Sequence, residues 1–103
     1  MSGIVNTVEK GRRHEKQCED DLKKEGCVTW RTFRTQFHDL DLFGLFDCLG
    51  LDLARSGFRF VQVKTNKVDK KTIERIKAFK MPLNCSKEIW IWIDNKGWKK
   101  IYC

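Results

Sequence analysis

Two kinds of apolar spacing divide the chain. From about Asn6 to Glu25 the sequence is polar and helix-favouring, and Val8, Gly11, Glu15, Cys18 and Leu22 recur at intervals of three and four. That spacing draws one stripe down a helix, with Gly26 as the expected stop. "CVTWRTF", Cys27 to Phe33, alternates and predicts a first strand. "RTQFHDLDLFG" is irregular. The apolar run "LFDCLGLD", Leu45 to Asp52, predicts a second strand on which Asp47, Leu49 and Leu51 share a face. "LARSG" makes a turn with Gly57 as its pivot, and "FRFVQVKT" follows as the partner strand of an antiparallel hairpin. "VDKKTIERIKAFKMP" predicts a second helix, capped by Asp69, stopped by Pro82 and buried along Ile73, Ile76 and Phe79. "EIWIWID", Glu88 to Asp94, is apolar on both faces, as a central strand is. "DNKG" turns the chain and "WKKIYC" returns as a last, more exposed strand. The order α-β-β-β-α-β-β predicts an α/β fold, a mixed sheet with flanking helices, in a single domain over residues 1–103.

Composition adds a partner class. Apolar residues make up 41% of the chain and charged residues 34%, a globular balance. Lys and Arg number 21 against 14 Asp and Glu, and the net charge of +7 favours a polyanion such as nucleic acid. The five cysteines are scattered and form no C-x-x-C, which argues against a secreted disulfide scaffold or a zinc knuckle. They read as reduced thiols in an intracellular, cytoplasmic protein. His14 and Cys18 stand four apart and fit one metal on a helix, but no second pair accompanies them. No apolar run reaches membrane-spanning length, so no membrane partner is expected.

Three placements break the apolar pattern. Glu15 lies on the inward stripe of the first helix, Asp47 interrupts an apolar strand, and Gln62 and Lys64 share one face of the neighbouring strand. Each has an ordinary explanation alone: an arginine partner for Glu15, or a strand end from which Lys64 reaches water. Together they bring two carboxylates, an amide oxygen and an ammonium toward one place. Hard oxygen donors suit Mg²⁺ or Mn²⁺. Such an ion orients a phosphate and lowers the pKa of a bound water, and a lysine beside it stabilises developing charge.

"GRRHEKQCEDDLKKEG", "FGLFDCLGLD" and "FRFVQVKTN" together resemble the PD-(D/E)XK nuclease superfamily, most nearly its small archaeal Holliday-junction resolvases. The resemblance implies a restriction-endonuclease-like core and divalent-metal-dependent hydrolysis of DNA, selective for junction or branched structure. It implies Asp47 as central metal ligand, with the side-chain oxygen of Gln62 and the backbone carbonyl of Val63 completing the shell. Lys64 then acts on the attacking water, Glu15 on a second ion or its waters, and Thr65 on substrate phosphate. Gln62 stands where an acid is commoner, and Phe46 rather than a proline precedes Asp47. Asp39, Asp41 and Asp52 compete for the Asp47 role. Asp47 is preferred because its apolar neighbours leave it otherwise unexplained.

Arg12, Arg13, Arg31 and Arg34, on the helix and the segment leading to Asp47, are expected to contact DNA phosphates, as are Lys67, Lys70 and Lys71 after the motif strand. Trp90, Trp92 and Trp98 form an aromatic group. At least one of Trp90 and Trp92 is expected to pack against the second helix, and the group is also a candidate seal for a homodimer. Two readings compete with the nuclease: a catalytically weak or inactive nucleic-acid-binding protein on the same fold, and a partner-binding protein that uses the tryptophan face.

Overall fold

A computed structural model describes residues 3–31 and 42–103, with side chains from residue 11 onward within them. The expected extension of the first strand to Phe33, and Arg34, His38, Asp39 and Asp41, lie outside the described residues. The elements are α1 (Gly3–Lys24), β1 (Cys27–Arg31), β2 (Cys48–Asp52), β3 (Gly57–Thr65), α2 (Lys70–Ala78), β4 (Cys85–Ile93) and β5 (Gly97–Tyr102), in the predicted order. They form a five-stranded sheet in the order β1-β2-β3-β4-β5. All neighbours are antiparallel except β3 and β4, and α2 is the crossover that a parallel pair requires.

The helices cover opposite faces. Cys18 and Leu22 of α1 pack with Cys27, Cys48, Val61, Val63 and Trp90. Ile76 of α2 packs with Leu45, Phe46, Ile89 and Ile91, with Ile73, Phe79 and Ile101 at the margin. β4 is therefore covered on both sides, which explains its unbroken apolar run. The tryptophans face the other way from expectation. Trp90 is fully buried in the α1 cluster, and the Trp92 ring stands 5.5 Å from His14 of α1. Alternation put the isoleucines, not the tryptophans, under α2.

β2 starts later than expected. Leu45 and Phe46 belong to a turn closed by a bridge between Leu42 and Phe46, though both remain in the α2 core. Asp47 thus precedes the strand. It is buried while Leu49 and Leu51 are half-exposed, so the three do not share one environment. α2 also ends before Pro82. Lys87 Nζ donates to the carbonyls of Ile76, Lys77 and Phe79 at 2.8, 2.9 and 2.7 Å. A cation on the last carbonyls favours a helix end there. At the other end Asp69 is the expected cap, accepting from Thr72 N at 3.1 Å. In the β2–β3 turn the left-handed residue is Ser56 (φ 55°), not Gly57. Gly57 is required for space, because a Cβ there would lie 2.6 Å from the Asn84 carbonyl oxygen.

Among the described residues α2 packs on β4, and no helix lies over β1 and β2 on that side. Val28, Leu51 and Phe58 line up across the register, as do Trp30, Leu49 and Phe60. Val28, Trp30 and Phe58 are exposed.

A buried ion network joins the base of β3 to β4 and α1. Arg59 donates from Nε and Nη2 to the two oxygens of Glu88, both at 2.8 Å, and from Nη1 to Glu25 Oε1 at 2.9 Å. Trp90 Nε1 and Ser86 Oγ donate to the same Glu88 carboxylate at 3.0 and 3.1 Å. Burial raises the Glu88 pKa, but the bonds from Arg59, Trp90 and Ser86 outweigh it and leave the carboxyl below its ordinary range. The Glu88 bonds raise the Arg59 pKa against the cost of burial.

Glu88→Gln leaves the Arg59 charge buried without its partner and should cost ~3–5 kcal/mol in urea unfolding at neutral pH. A lowered pKa means that the carboxylate's contribution is complete above the unfolded value of 4.5 and is lost as pH falls through the folded one. The gap between wild type and variant should therefore narrow below pH 4.5.

Candidate functional site

β3 runs past the start of β2. The last pair joins Cys48 to Val61, so Gln62 to Thr65 have β4 on one side and no β2 partner on the other. Asp47 occupies that side. Its backbone N donates to the Val61 carbonyl at 2.9 Å, and its Oδ2 accepts from Val63 N at 2.9 Å. The side chain takes the hydrogen bond that a longer β2 would have made. The N–H and C=O of one strand residue point toward the same neighbour. The Val63 carbonyl therefore opens toward the gap that holds Asp47.

The other predicted residues approach from two faces. Val61 and Val63 face α1, and Phe60 packs on the α2 side. Alternation puts Gln62 and Lys64 on the α2 side as well. Glu15 hangs from α1 on the opposite face, 3% exposed. Its backbone carbonyl is a weak acceptor for Cys48 Sγ at 3.7 Å, which keeps this turn of α1 beside the start of β2. Asp47 is 2% exposed. Gln62 is 8% exposed, and its Oε1 is buried with no hydrogen-bond partner among the described residues. Lys64 and Thr65 are half-buried.

Asp52 does not compete for the Asp47 position. It lies at the far end of β2 and accepts from Arg55 N at 3.1 Å, with Arg55 Nε at 3.7 Å. Arg12 and Arg13 are exposed on α1, Lys67 just after β3, and Lys70 and Lys71 on the first turn of α2. Arg31 is half-buried, with its Nη1 3.5 Å from the Arg12 carbonyl and its Nε 4.0 Å from Glu19.

His14 and Cys18 do not form a metal pair. Hydrogen bonding with Cys48 and burial push the Cys18 thiol well above its usual range, so it stays protonated in the α1 core. Among the described residues no group of three or more His, Cys, Asp and Glu is placed to hold a metal. His14 Nδ1 is instead 2.7 Å from Thr65 Oγ1. With Arg13, Gln17, Trp92 and Asp94 it lines an open groove of about 310 Å³. The sequence reading missed this bond. Its only signal is adjacency: His14 precedes Glu15, and Thr65 follows Lys64.

No family model matches the chain, and no curated protein matches it. Among solved structures the chain is similar to Hjc, a Holliday junction resolvase of the archaeal hyperthermophile Archaeoglobus fulgidus. The TM-score is 0.64 at 15% identity, over 90% of this chain and 72% of that one. At this identity the likeness establishes the fold: an α/β, restriction-endonuclease-like core with a mixed five-stranded sheet and flanking helices.

Asp47→Ala leaves the Val63 N–H without an acceptor and should cost ~1–3 kcal/mol in urea unfolding. Asp47→Asn keeps an acceptor oxygen and should stay within ~1 kcal/mol of wild type. The asparagine variant therefore separates chemistry from folding.

Proposed function

We propose that this protein is a divalent-metal-dependent deoxyribonuclease of the PD-(D/E)XK type, selective for branched or junction DNA. The observation that carries this reading is the side-chain oxygen of Gln62, buried and without a hydrogen-bond partner among the described residues, on the strand that Asp47 holds. Leaving such an oxygen unsatisfied costs ~1–3 kcal/mol, and a hard cation is a ligand that relieves the cost. Asp47, Gln62, the Val63 carbonyl and Glu15 are all oxygen donors, and they are the residues that would hold Mg²⁺ or Mn²⁺. When bound, such an ion neutralises phosphate charge and lowers the pKa of a coordinated water.

The chain's own residues have separable tasks in this reading. The Val63 N–H fixes the Asp47 carboxylate, so its other oxygen keeps one orientation. Lys64, two residues after Gln62 on the same strand face, stabilises the charge that develops on the scissile phosphate and positions the attacking water. Arg12, Arg13, Arg31, Arg34, Thr65, Lys67, Lys70 and Lys71 hold the backbone of the DNA, which supplies affinity without reading sequence. The preference for junctions rests on the fold likeness to a Holliday junction resolvase.

A second copy of the chain belongs to the same reading. Among the described residues, the rows Val28–Leu51–Phe58 and Trp30–Leu49–Phe60 carry no charged side chain, on a chain of net charge +7. DNA needs cations there, whereas a second copy needs their absence. The dimer seal thus moves from the C-terminal tryptophans to Trp30. A competing reading, DNA binding without cleavage, draws on Gln62 itself: a neutral ligand in place of an acid weakens a cation site.

Cleavage of junction, flap, nicked, duplex and single-stranded DNA with Mg²⁺, Mn²⁺ or chelator tests the proposal. Wild type should cut only with the cation, and Asp47→Asn and Lys64→Ala should each lose ~100-fold or more in rate. Salt-sensitive binding that ignores chelator, with no cutting on any substrate, would replace the nuclease by the binding protein. In light scattering, wild type should run as a dimer and Trp30→Glu as a folded monomer. A wild-type monomer would remove the second copy from the reading.

A further inference from the structure

The end of β3 lacks β2 over Gln62 to Thr65, and side chains from elsewhere hold it at alternate residues. Asp47 accepts from the backbone of Val63, and His14 Nδ1 meets the hydroxyl of Thr65 at 2.7 Å. We infer that His14 is a positioning residue for the candidate site: through Thr65 it fixes where the end of β3 carries Lys64 relative to Glu15 on α1. This inference rests on the proposed nuclease reading for its kinetic consequence, though not for its geometry.

Three observations support that role. His14 is 8% exposed and its bond to Thr65 is part-buried, so water competes for it only in part. Its ring also stands 5.5 Å from the Trp92 ring, and Trp92 is the β4 residue paired with Thr65. One side chain of α1 therefore touches both members of the last β3–β4 pair. Trp92 is held in turn. Its carbonyl accepts from Asn66 N at 2.7 Å, and its ring meets Trp98 at 5.1 Å. Trp98 Nε1 donates back to Asp21 Oδ2 of α1 at 2.7 Å. The imidazole cannot rotate away from Thr65 without breaking its packing. A shift of α1 along β3 would break the bond between chain neighbours of Glu15 and Lys64. The bond forms with either ring tautomer, because a hydroxyl both donates and accepts.

A brace of this kind acts on geometry at the reacting centre and leaves substrate affinity to other groups. Small displacements of positioned groups cost up to ~100-fold in rate. His14→Ala, in the full chain, should therefore lower kcat ~10–100-fold with KM within ~3-fold of wild type, and Thr65→Val should lower kcat by a similar factor. The double variant should be no worse than either single one, because both remove the same bond. His14→Asn, which returns a polar atom near the Nδ1 position, and Thr65→Ser should recover most of kcat. Amide hydrogen exchange over residues 62–66, read without substrate, should quicken in His14→Ala and Thr65→Val but not in His14→Asn or Thr65→Ser. Unchanged kcat in a folded His14→Ala protein, additive losses in the double variant, or unchanged exchange would each overturn the inference. If His14→Ala does not fold, Thr65→Val against Thr65→Ser carries the same comparison. If wild type cuts no DNA, the nuclease reading fails and the exchange result alone decides the positioning role.

Discussion

β3 is nine residues long and its antiparallel neighbour β2 is five, and the candidate site follows from that mismatch. A strand that outruns its partner exposes backbone donors and acceptors on one side. In solvent, water would take them. Here Asp47 and Gln62 are buried, so the groups must find protein partners. Asp47 meets the need twice, with its backbone on Val61 and its carboxylate on Val63. A carboxylate is thereby drawn into the interior for a backbone reason, beside a carbonyl and an amide that are themselves oxygen donors. The polar cluster is a consequence of where one strand stops.

β3 carries buried polar groups at both ends, and they differ in how well they are matched. At its base, Arg59 is met by Glu88 and Glu25, and the Glu88 carboxylate takes further donors from Trp90 and Ser86. That network closes on itself and reads as structure, tying two strands to the end of α1. At the far end Gln62 Oε1 is left over among the described residues. A satisfied buried network stiffens a fold, whereas a leftover polar atom marks a place where local rules yield to something else. The contrast within one strand is what separates brace from site in this molecule.

The two helices divide the remaining work unequally. α1 runs against β1, β2 and β3 on its face and also supplies Glu15 and His14. α2 is short and sits over β4, and among the described residues Val28, Trp30 and Phe58 of the first three strands are exposed. The exposed cations Arg12, Arg13, Lys67, Lys70 and Lys71 lie on α1, just after β3 and on the first turn of α2.

Local patterning by itself determined the order of elements, the β2–β3 hairpin, the Asp69 cap and the doubly buried character of β4, because periodicity and capping act over a few residues. It also singled out Asp47, Gln62 and Lys64, since each breaks an apolar rhythm in its own neighbourhood. Only the tertiary structure decided how those breaks relate. That Asp47 lies just off its strand depends on where β2 stops against β3, a matter of register between segments. That Glu15 is buried beside the start of β2 depends on which side of the sheet α1 covers. The Arg59–Glu88 pair spans 29 positions and the His14–Thr65 bond 51, so no short window contains both partners. Trp90 and Trp30 look alike in sequence. One is core and the other is surface because α1 and α2 cover different strands.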